Sequence, residues 1–158
     1  MDFELNERRG ATTTHPLGHL VGKPLPAGRY RVADYESWLA HDALYSDPAD
    51  PEPHPVMAFI AAQRGLGVTV AELFRLWATE MADGPMLTES TLEFPGEFRA
   101  EVEYLVSGTV VAVVRKTGRT LGAFDLLTAR FEVAEPAREP VAVITNVYAL
   151  PRREGENG

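Results

Sequence analysis

The stretch TVVAVVRKTGRTLGAFDLLTARFEV, residues 109–133, decides the fold of this 158-residue chain. Residues 109–115 are apolar on both faces of an extended chain, which is typical of a central strand. The turn from Lys116 to Arg119 then leads into a second long strand, residues 123–133. The stretch therefore predicts an antiparallel hairpin.

Two further strands flank this hairpin. Apolar and charged side chains alternate over residues 98–106, so this strand should have one buried face and one solvent-exposed face. After the hairpin, EPAREP at 135–140 turns the chain into VAVITNVYALP, which ends at Pro151. The strand block from Leu87 to Pro151 therefore predicts an antiparallel sheet.

Three helical segments precede the strands. Asp34 is a predicted N-cap for a short helix that reaches about His41. A second helix begins at Pro55 and is apolar nearly all round until Gly65, so it must be buried in something. A third, amphipathic helix over residues 70–81 should lie on the surface. A sheet wrapped around one buried helix is an α+β layout.

Composition limits the functions that the chain can have. It has no cysteine, which excludes disulfides and thiolate chemistry and fits a reducing compartment. Fifteen basic and twenty-three acidic residues give a net charge of −8, which repels nucleic acids and anionic membrane surfaces. We therefore expect a cytoplasmic protein with no nucleic-acid or membrane partner. We expect residues 1–19 to be a disordered leader, 20–152 one domain and 153–158 a flexible tail.

Three stretches carry a family resemblance: LVGKPLPAGRYRV at 20–32, ALYSDP at 43–48, and residues 113–133 followed by VITNVYALPR at 143–152. With these, the chain resembles the hot-dog superfamily, and within it the MaoC-like branch with a fatty-synthase type I-like dehydratase N-terminal domain. The resemblance covers about Leu20 to Arg152, nearly all of the predicted domain.

The resemblance implies a hot-dog fold and an acyl thioester substrate, carried on coenzyme A or an acyl carrier protein, in fatty-acid or polyketide-type metabolism. It also implies a homodimer, or a heterodimer with another hot-dog chain. No separate cofactor is expected, since coenzyme A or phosphopantetheine arrives as part of the substrate.

The expected reaction is dehydration of a 3-hydroxyacyl thioester or the reverse hydration, which requires a base, an acid and donors to the enolate oxygen. The family supplies the acid and base from an Asp and a His in a loop that reads roughly Asp-x-Asn-Pro-x-His. In this chain those two positions fall on Ala40 and Tyr45. Alanine cannot exchange a proton, and a phenol is a poor base near neutrality. The resemblance therefore implies a lyase in which the usual dyad is substituted.

Neighbouring side chains could take over this chemistry. The candidate catalytic residues are His54, His41, Asp42 and Tyr45. His54 stands just before the buried helix, whose positive end favours a neutral imidazole that could act as a base. Active relatives follow this His with a Gly whose N–H binds the thioester oxygen. Here residue 55 is Pro, so we expect the N–H of Val56 or Met57 to bind it instead.

The remaining candidates are a basic turn for binding a phosphate or a carrier protein, and a histidine pair for binding a metal ion. Arg115, Lys116 and Arg119 cluster near the hairpin turn and are predicted to hold the phosphate of coenzyme A or pantetheine, or to face an acidic carrier protein. His15 and His19 lie four residues apart, but no helix is predicted there to align them, so we expect no metal site.

Three functions stay open at this point. The first is a dehydratase or hydratase in which neighbouring residues replace the dyad. The second is a catalytically inactive subunit or acyl-binding module that pairs with an active hot-dog chain. The third is a hot-dog thioesterase, in which Asp50 or Glu52 would be the carboxylate that faces the start of the buried helix.

Overall fold

The computed structural model describes residues 15–153, and in this range five strands form one antiparallel sheet. The strands are β1 (Gly28–Arg31), β2 (Met86–Glu93), β3 (Glu103–Gly118), β4 (Gly122–Ala134) and β5 (Pro140–Pro151). Their order across the sheet is β1-β3-β4-β5-β2, which leaves β2 at one edge. The helices are α1 (Asp34–Ala43), α2 (Val56–Arg64) and α3 (Val70–Leu76), and short 3-10 turns span Gly18–Leu20 and Met81–Asp83.

Helix α2 lies against the inner face of the sheet, which confirms the predicted α+β arrangement. Three alanines on its sheet-facing side, Ala58, Ala61 and Ala62, are fully buried. Small side chains at these positions let the helix approach the large apolar residues of β4 and β5, such as Phe131 and Ile144. The opposite side of α2 is only half-buried; its residues are Val56, Phe59, Ile60 and Gln63.

Two predicted strands are one strand in the structure. Residues 98–102 precede β3, and the chain from Glu103 to Gly118 is continuous. Gly108 leaves room for the Phe131 ring on β4, because a Cβ there would lie only 2.9 Å from it. A bulge between Val110 and Ala112 then shifts the register with β4.

Helices α1 and α3 differ from the predicted ones at one end each. The N-cap of α1 is Ala33 and not Asp34, because the Glu36 carboxylate accepts the Ala33 N–H at 3.0 Å. Helix α3 stops at Leu76 and does not continue to residue 81. Directly after its end, the Trp77 side chain is buried in the core and Ala78 takes a positive φ of 52°. The guanidinium of Arg152 caps this end by donating to the Trp77 carbonyl at 3.1 Å.

The folded domain begins earlier than predicted. Residues 15–19, expected to belong to a disordered leader, are part of the domain: His15 donates to Asp125 at 2.8 Å and Leu17 is buried. The rest of the predicted leader and most of the predicted tail, residues 1–14 and 154–158, lie outside the described residues. Among residues 15–153, no helix is long and apolar enough to cross a membrane.

Candidate functional site

A cleft of about 510 Å³ opens at the start of α2. Its walls come from the loop between α1 and α2 and from the segment that follows β2. The lining residues are His41, Asp50, Glu52, Pro53, Pro55, Phe94, Gly96, Glu97 and Phe98. The cleft thus combines two aromatic rings and two prolines with three carboxylates and one imidazole. Such a mixture of apolar walls and a few polar groups suits a small organic ligand.

His41 belongs to the last turn of α1 and is buried, with 4% of its surface exposed. Its Nε2 lies 2.7 Å from the carbonyl oxygen of Glu52, and its Nδ1 lies 2.6 Å from the Ser46 hydroxyl. A carbonyl only accepts hydrogen bonds, so Nε2 carries a proton. In the neutral ring Nδ1 then accepts from the Ser46 hydroxyl, for which the His41 carbonyl, at 3.3 Å, is a second and more distant acceptor. Two partners therefore fix both the tautomer and the orientation of this imidazole.

His54 lies edge-on to His41, with ring centroids 5.6 Å apart. Its Nδ1 accepts the backbone N–H of Val56 at 3.1 Å, and its carbonyl accepts the N–H of Met57 at 2.8 Å. Both N–H groups that were predicted to bind a thioester oxygen thus have partners inside the chain. They satisfy the first turn of α2, where Pro55 has no N–H.

Asp42 and Tyr45 do not join the two histidines. Both are exposed, and Tyr45 has 99% of its surface in solvent. The reason is local: α1 ends at Ala43, and Tyr45, two residues later, takes a left-handed conformation with φ 56° that turns its ring outward. Neither residue lines the cleft, so in this chain the structure gives no support for their predicted catalytic roles.

The basic turn lies far from the cleft. Phe98 and Tyr104, whose rings are 5.5 Å apart, place the first residues of β3 at the cleft. Arg115 follows Glu103 by twelve residues, about 40 Å along an extended strand. Arg115, Lys116 and Arg119 therefore do not line this chain's own cleft, and their role in binding a phosphate or a carrier protein stays a prediction. Arg115 is also engaged in an ion pair with Asp125, whereas Lys116 and Arg119 are exposed.

Asp125 is a buried charged residue that the sequence reading missed. Its carboxylate has no exposed surface and accepts hydrogen bonds from His15, Arg115 and Arg152, the last at 2.8 Å. Burial raises the pKa of this carboxyl, but the hydrogen bonds from the two guanidinium groups and the imidazole outweigh it and bring the pKa to about 2. The sequence does contain a signal for this buried charge. Asp125 lies on the buried side of β4, at the same two-residue period as Leu127, Ala129 and Phe131. A carboxylate on that side needs partners.

A second buried polar group lies beneath α2. The Tyr148 hydroxyl accepts from Gln63 at 3.1 Å and from Asn146 at 2.9 Å, and burial raises the pKa of Tyr148. This network is part of the core and does not line the cleft. Within residues 15–153, no group of three or more His, Asp or Glu side chains is arranged to hold a metal ion.

No protein-family model matches the sequence, and no curated protein matches it either. Solved structures do match the fold. A MaoC-like dehydratase from Phytophthora capsici is similar with a TM-score of 0.58 and 11% identity, over 88% of this chain and 50% of that one. An (R)-hydratase of A. caviae involved in PHA biosynthesis gives a TM-score of 0.50 and 17% identity, over 83% of this chain and 96% of that one.

A third structure is a heteromeric complex. A chain of the ChsH1-ChsH2 complex from Mycobacterium tuberculosis is similar with a TM-score of 0.50 and 14% identity, over 85% of this chain and 86% of that one. At these identities the likeness concerns the fold alone. The chain has a hot-dog fold, in the form found in MaoC-like dehydratases and in the (R)-hydratase.

Proposed function

We propose that this chain is a MaoC-like hot-dog subunit that binds a 3-hydroxyacyl or enoyl thioester, on coenzyme A or an acyl carrier protein, in a dehydratase or hydratase assembly. In this assembly a second hot-dog chain supplies the complete acid–base pair. The proposal rests on one observation: the two positions of the family dyad hold Ala40 and Tyr45 in this chain, and neither residue lines the cleft at the start of α2.

The cleft supports binding of an acyl group. Its walls are apolar at Phe94, Phe98, Pro53 and Pro55, and it lies where the resemblance places the reacting end of the thioester.

The positions of the dyad support a passive role in the chemistry. Ala40 has no titratable group, and Tyr45 is turned into solvent. His41 is held between Ser46 and Glu52, so it would have to break a buried hydrogen bond before it could reach a hydroxyacyl substrate.

Two exposed surfaces support a partner chain. Seven of the eight residues of β2 are exposed, and one edge of this strand has no neighbour among the described residues. A free strand edge readily pairs with another chain. The outward side of α2, with Phe59 and Ile60 half-buried, would be covered by the same partner. The Phytophthora protein, of which this chain covers half, and the ChsH1-ChsH2 complex are consistent with a paired arrangement.

The decisive experiment measures enoyl absorbance. Crotonyl and 3-hydroxybutyryl thioesters of coenzyme A would be given to the purified chain alone, and then to the chain mixed with a hot-dog protein from a neighbouring gene that carries the Asp/His dyad. We expect no hydration or dehydration by the chain alone, with products identified by mass, and a hydration rate in the mixture that exceeds the rate of the partner alone. Full turnover by the single chain would refute the passive role, and His54→Ala would then be tested for loss of about 10²-fold or more.

The interface has its own test, with a matched control. Leu87 on β2 and Leu121 at the hairpin tip have similar exposure, 44% and 39%. We expect Leu87→Asp to abolish assembly in sedimentation velocity, because it places a charge on the pairing edge. Leu121→Asp should leave assembly intact. Equal effects of the two variants would argue against β2 as the interface.

A further inference from the structure

The end of α1 brings a serine and a histidine together by backbone geometry. Tyr45 is in the left-handed region, its N–H donates to the Asp42 carbonyl at 3.3 Å, and the Ser46 N–H donates to the His41 carbonyl at 2.9 Å. These two bonds define a Schellman motif, which folds the residue after the left-handed position back over the last helical turn. An apolar pair usually makes that contact. Here the pair is Ser46 and His41.

The side chains of this pair form a three-membered polar chain. The Ser46 hydroxyl lies 2.6 Å from Nδ1 of His41, and Nε2 of the same ring donates to the Glu52 carbonyl at 2.7 Å. A hydroxyl, a base within hydrogen-bond reach, and a third group that fixes the base are the parts of an activated nucleophile. Ser46 is only partly buried, and the imidazole to which its hydroxyl bonds lines the cleft.

We propose that Ser46 is an acyl-accepting nucleophile, with His41 as its general base and the Glu52 carbonyl as the group that orients the base. The chain would then hydrolyse activated acyl compounds, in particular thioesters. This activity is additional to the proposed role in dehydration. It needs neither a partner chain nor the family dyad.

The step balances without a further reactant. The Ser46 oxygen attacks the thioester carbonyl and its proton passes to Nδ1 of His41. The C–S bond breaks, and the leaving thiolate takes that proton to become a free thiol. The acyl group remains on Ser46 as an ester. Water, deprotonated by His41, then attacks this ester, and the products are the carboxylic acid and the regenerated serine.

The substrate class follows from the start of α2. The N–H groups of Val56 and Met57 already donate to His54, so this helix start offers no pair of free donors to a developing oxyanion. We therefore expect reaction with acyl compounds that have a good leaving group, such as thioesters and aryl esters, and none with amides.

The test uses the full chain alone, p-nitrophenyl acetate as the substrate and a fluorophosphonate as the trapping reagent. We expect one fluorophosphonate adduct by intact mass, located on Ser46 by peptide mapping, and release of p-nitrophenol. Ser46→Ala should lose the adduct and reduce hydrolysis by about 10²-fold or more. Ser46→Cys should restore acyl transfer, because a thiol is also a nucleophile. Ser107→Ala, which changes a half-buried serine on β3, is the matched control and should behave as wild type.

The outcomes separate this proposal from its rivals. His41→Gln should lose both the adduct and the hydrolysis, because the variant lacks the base that accepts the Ser46 proton. Absence of an adduct on the wild-type chain, or an unchanged rate in a folded Ser46→Ala variant, would overturn the proposal. A rate that is lost in Glu52→Gln and kept in Ser46→Ala would assign hydrolysis to the carboxylate and overturn it equally. Absence of any gain in the hydration rate when the chain is mixed with a partner would concern only the proposed dehydratase role.

Discussion

The molecule has two buried polar centres, one around His41 and one around Asp125. They differ in whether a proton can still move between the hydrogen-bonded atoms. His41 has one donor and one acceptor as partners and lies beside an open cleft. Asp125 is a charged carboxylate that accepts four hydrogen bonds from three side chains. In the His41 centre one proton can still move between two atoms, whereas Asp125 is held in a single ionised state. This contrast points to chemistry at the first centre and to a structural role at the second.

The Asp125 centre joins parts of the chain that are distant in sequence. Its partners are His15 before the first strand, Arg115 on β3 and Arg152 after β5. Arg152 also donates to the backbone at the end of α3, at the Trp77 carbonyl. One carboxylate thereby holds the N-terminal segment, the long hairpin and the third helix together.

The largest expected effect is from Asp125→Asn. The change removes the charge that compensates two guanidinium groups, and removal of one member of a buried ion pair costs about 3–5 kcal/mol. Urea unfolding should show a much lower midpoint with an unchanged slope. Glu103→Gln, which breaks an exposed pair with Arg29, is the control and should cost less than about 1 kcal/mol. A small effect at Asp125 would mean that the centre contributes little to stability.

The same centre predicts how stability changes with acid. The pKa of Asp125 is about 2 in the folded chain and about 4 in an unfolded one, so the folded state binds fewer protons in this range. The carboxylate should therefore add about 2 kcal/mol above pH 4, and this contribution should disappear as the pH falls towards 2. Urea titrations between pH 5 and pH 2.5 would measure it. Asp125→Asn should lack this component of the pH dependence; an identical slope in both proteins would assign the acid sensitivity elsewhere.

A smaller loss is expected at the other centre. Ser46→Ala removes the hydroxyl that donates to Nδ1 of the buried His41 and leaves this nitrogen without a partner, which costs about 1–2 kcal/mol. The variant should remain folded, with an urea midpoint only moderately below that of the wild type. Ser107→Ala should stay within about 0.5 kcal/mol. A loss as large as that of Asp125→Asn would show that the His41 centre is also mainly structural.

The smallest effect, of opposite sign, is expected for Tyr45→Gly. The Tyr45 ring is exposed, so its removal costs no packing, and glycine adopts the left-handed conformation without steric strain. We expect a gain of about 0.5–1 kcal/mol in the free energy of unfolding, seen as a raised thermal midpoint. The fluorophosphonate adduct on Ser46 should remain. Loss of stability in this variant would indicate that the Tyr45 ring makes contacts in the assembled protein.

Several features of the fold followed from local patterns. The apolar helix that begins after Pro55 and the long hairpin were predicted from periodicity and turn residues, and the structure confirms both. The turn itself lies later than predicted, at residues 119–121, because Lys116 and Thr117 still pair with β4. The end of α3 was predicted wrongly because Trp77 and Arg152 terminate it, and their contacts come from β5 and the chain end. Of the predicted catalytic residues, His41 and His54 lie close together, whereas the Tyr45 ring lies in solvent. The Schellman motif could not be predicted from the sequence, because its left-handed position holds a tyrosine and not a glycine.

The sequence by itself determined that a sheet wraps around an apolar helix and that the dyad positions hold Ala40 and Tyr45. These properties depend on residue type and on periodicities of two and 3.6, which are local. Only the tertiary structure decided which polar groups meet. Asp125 is bound by a histidine 110 residues away, and His41 by a carbonyl eleven residues away. A buried polar group must take its partners from whatever segments the fold brings to it, and the order of residues along the chain does not specify those segments.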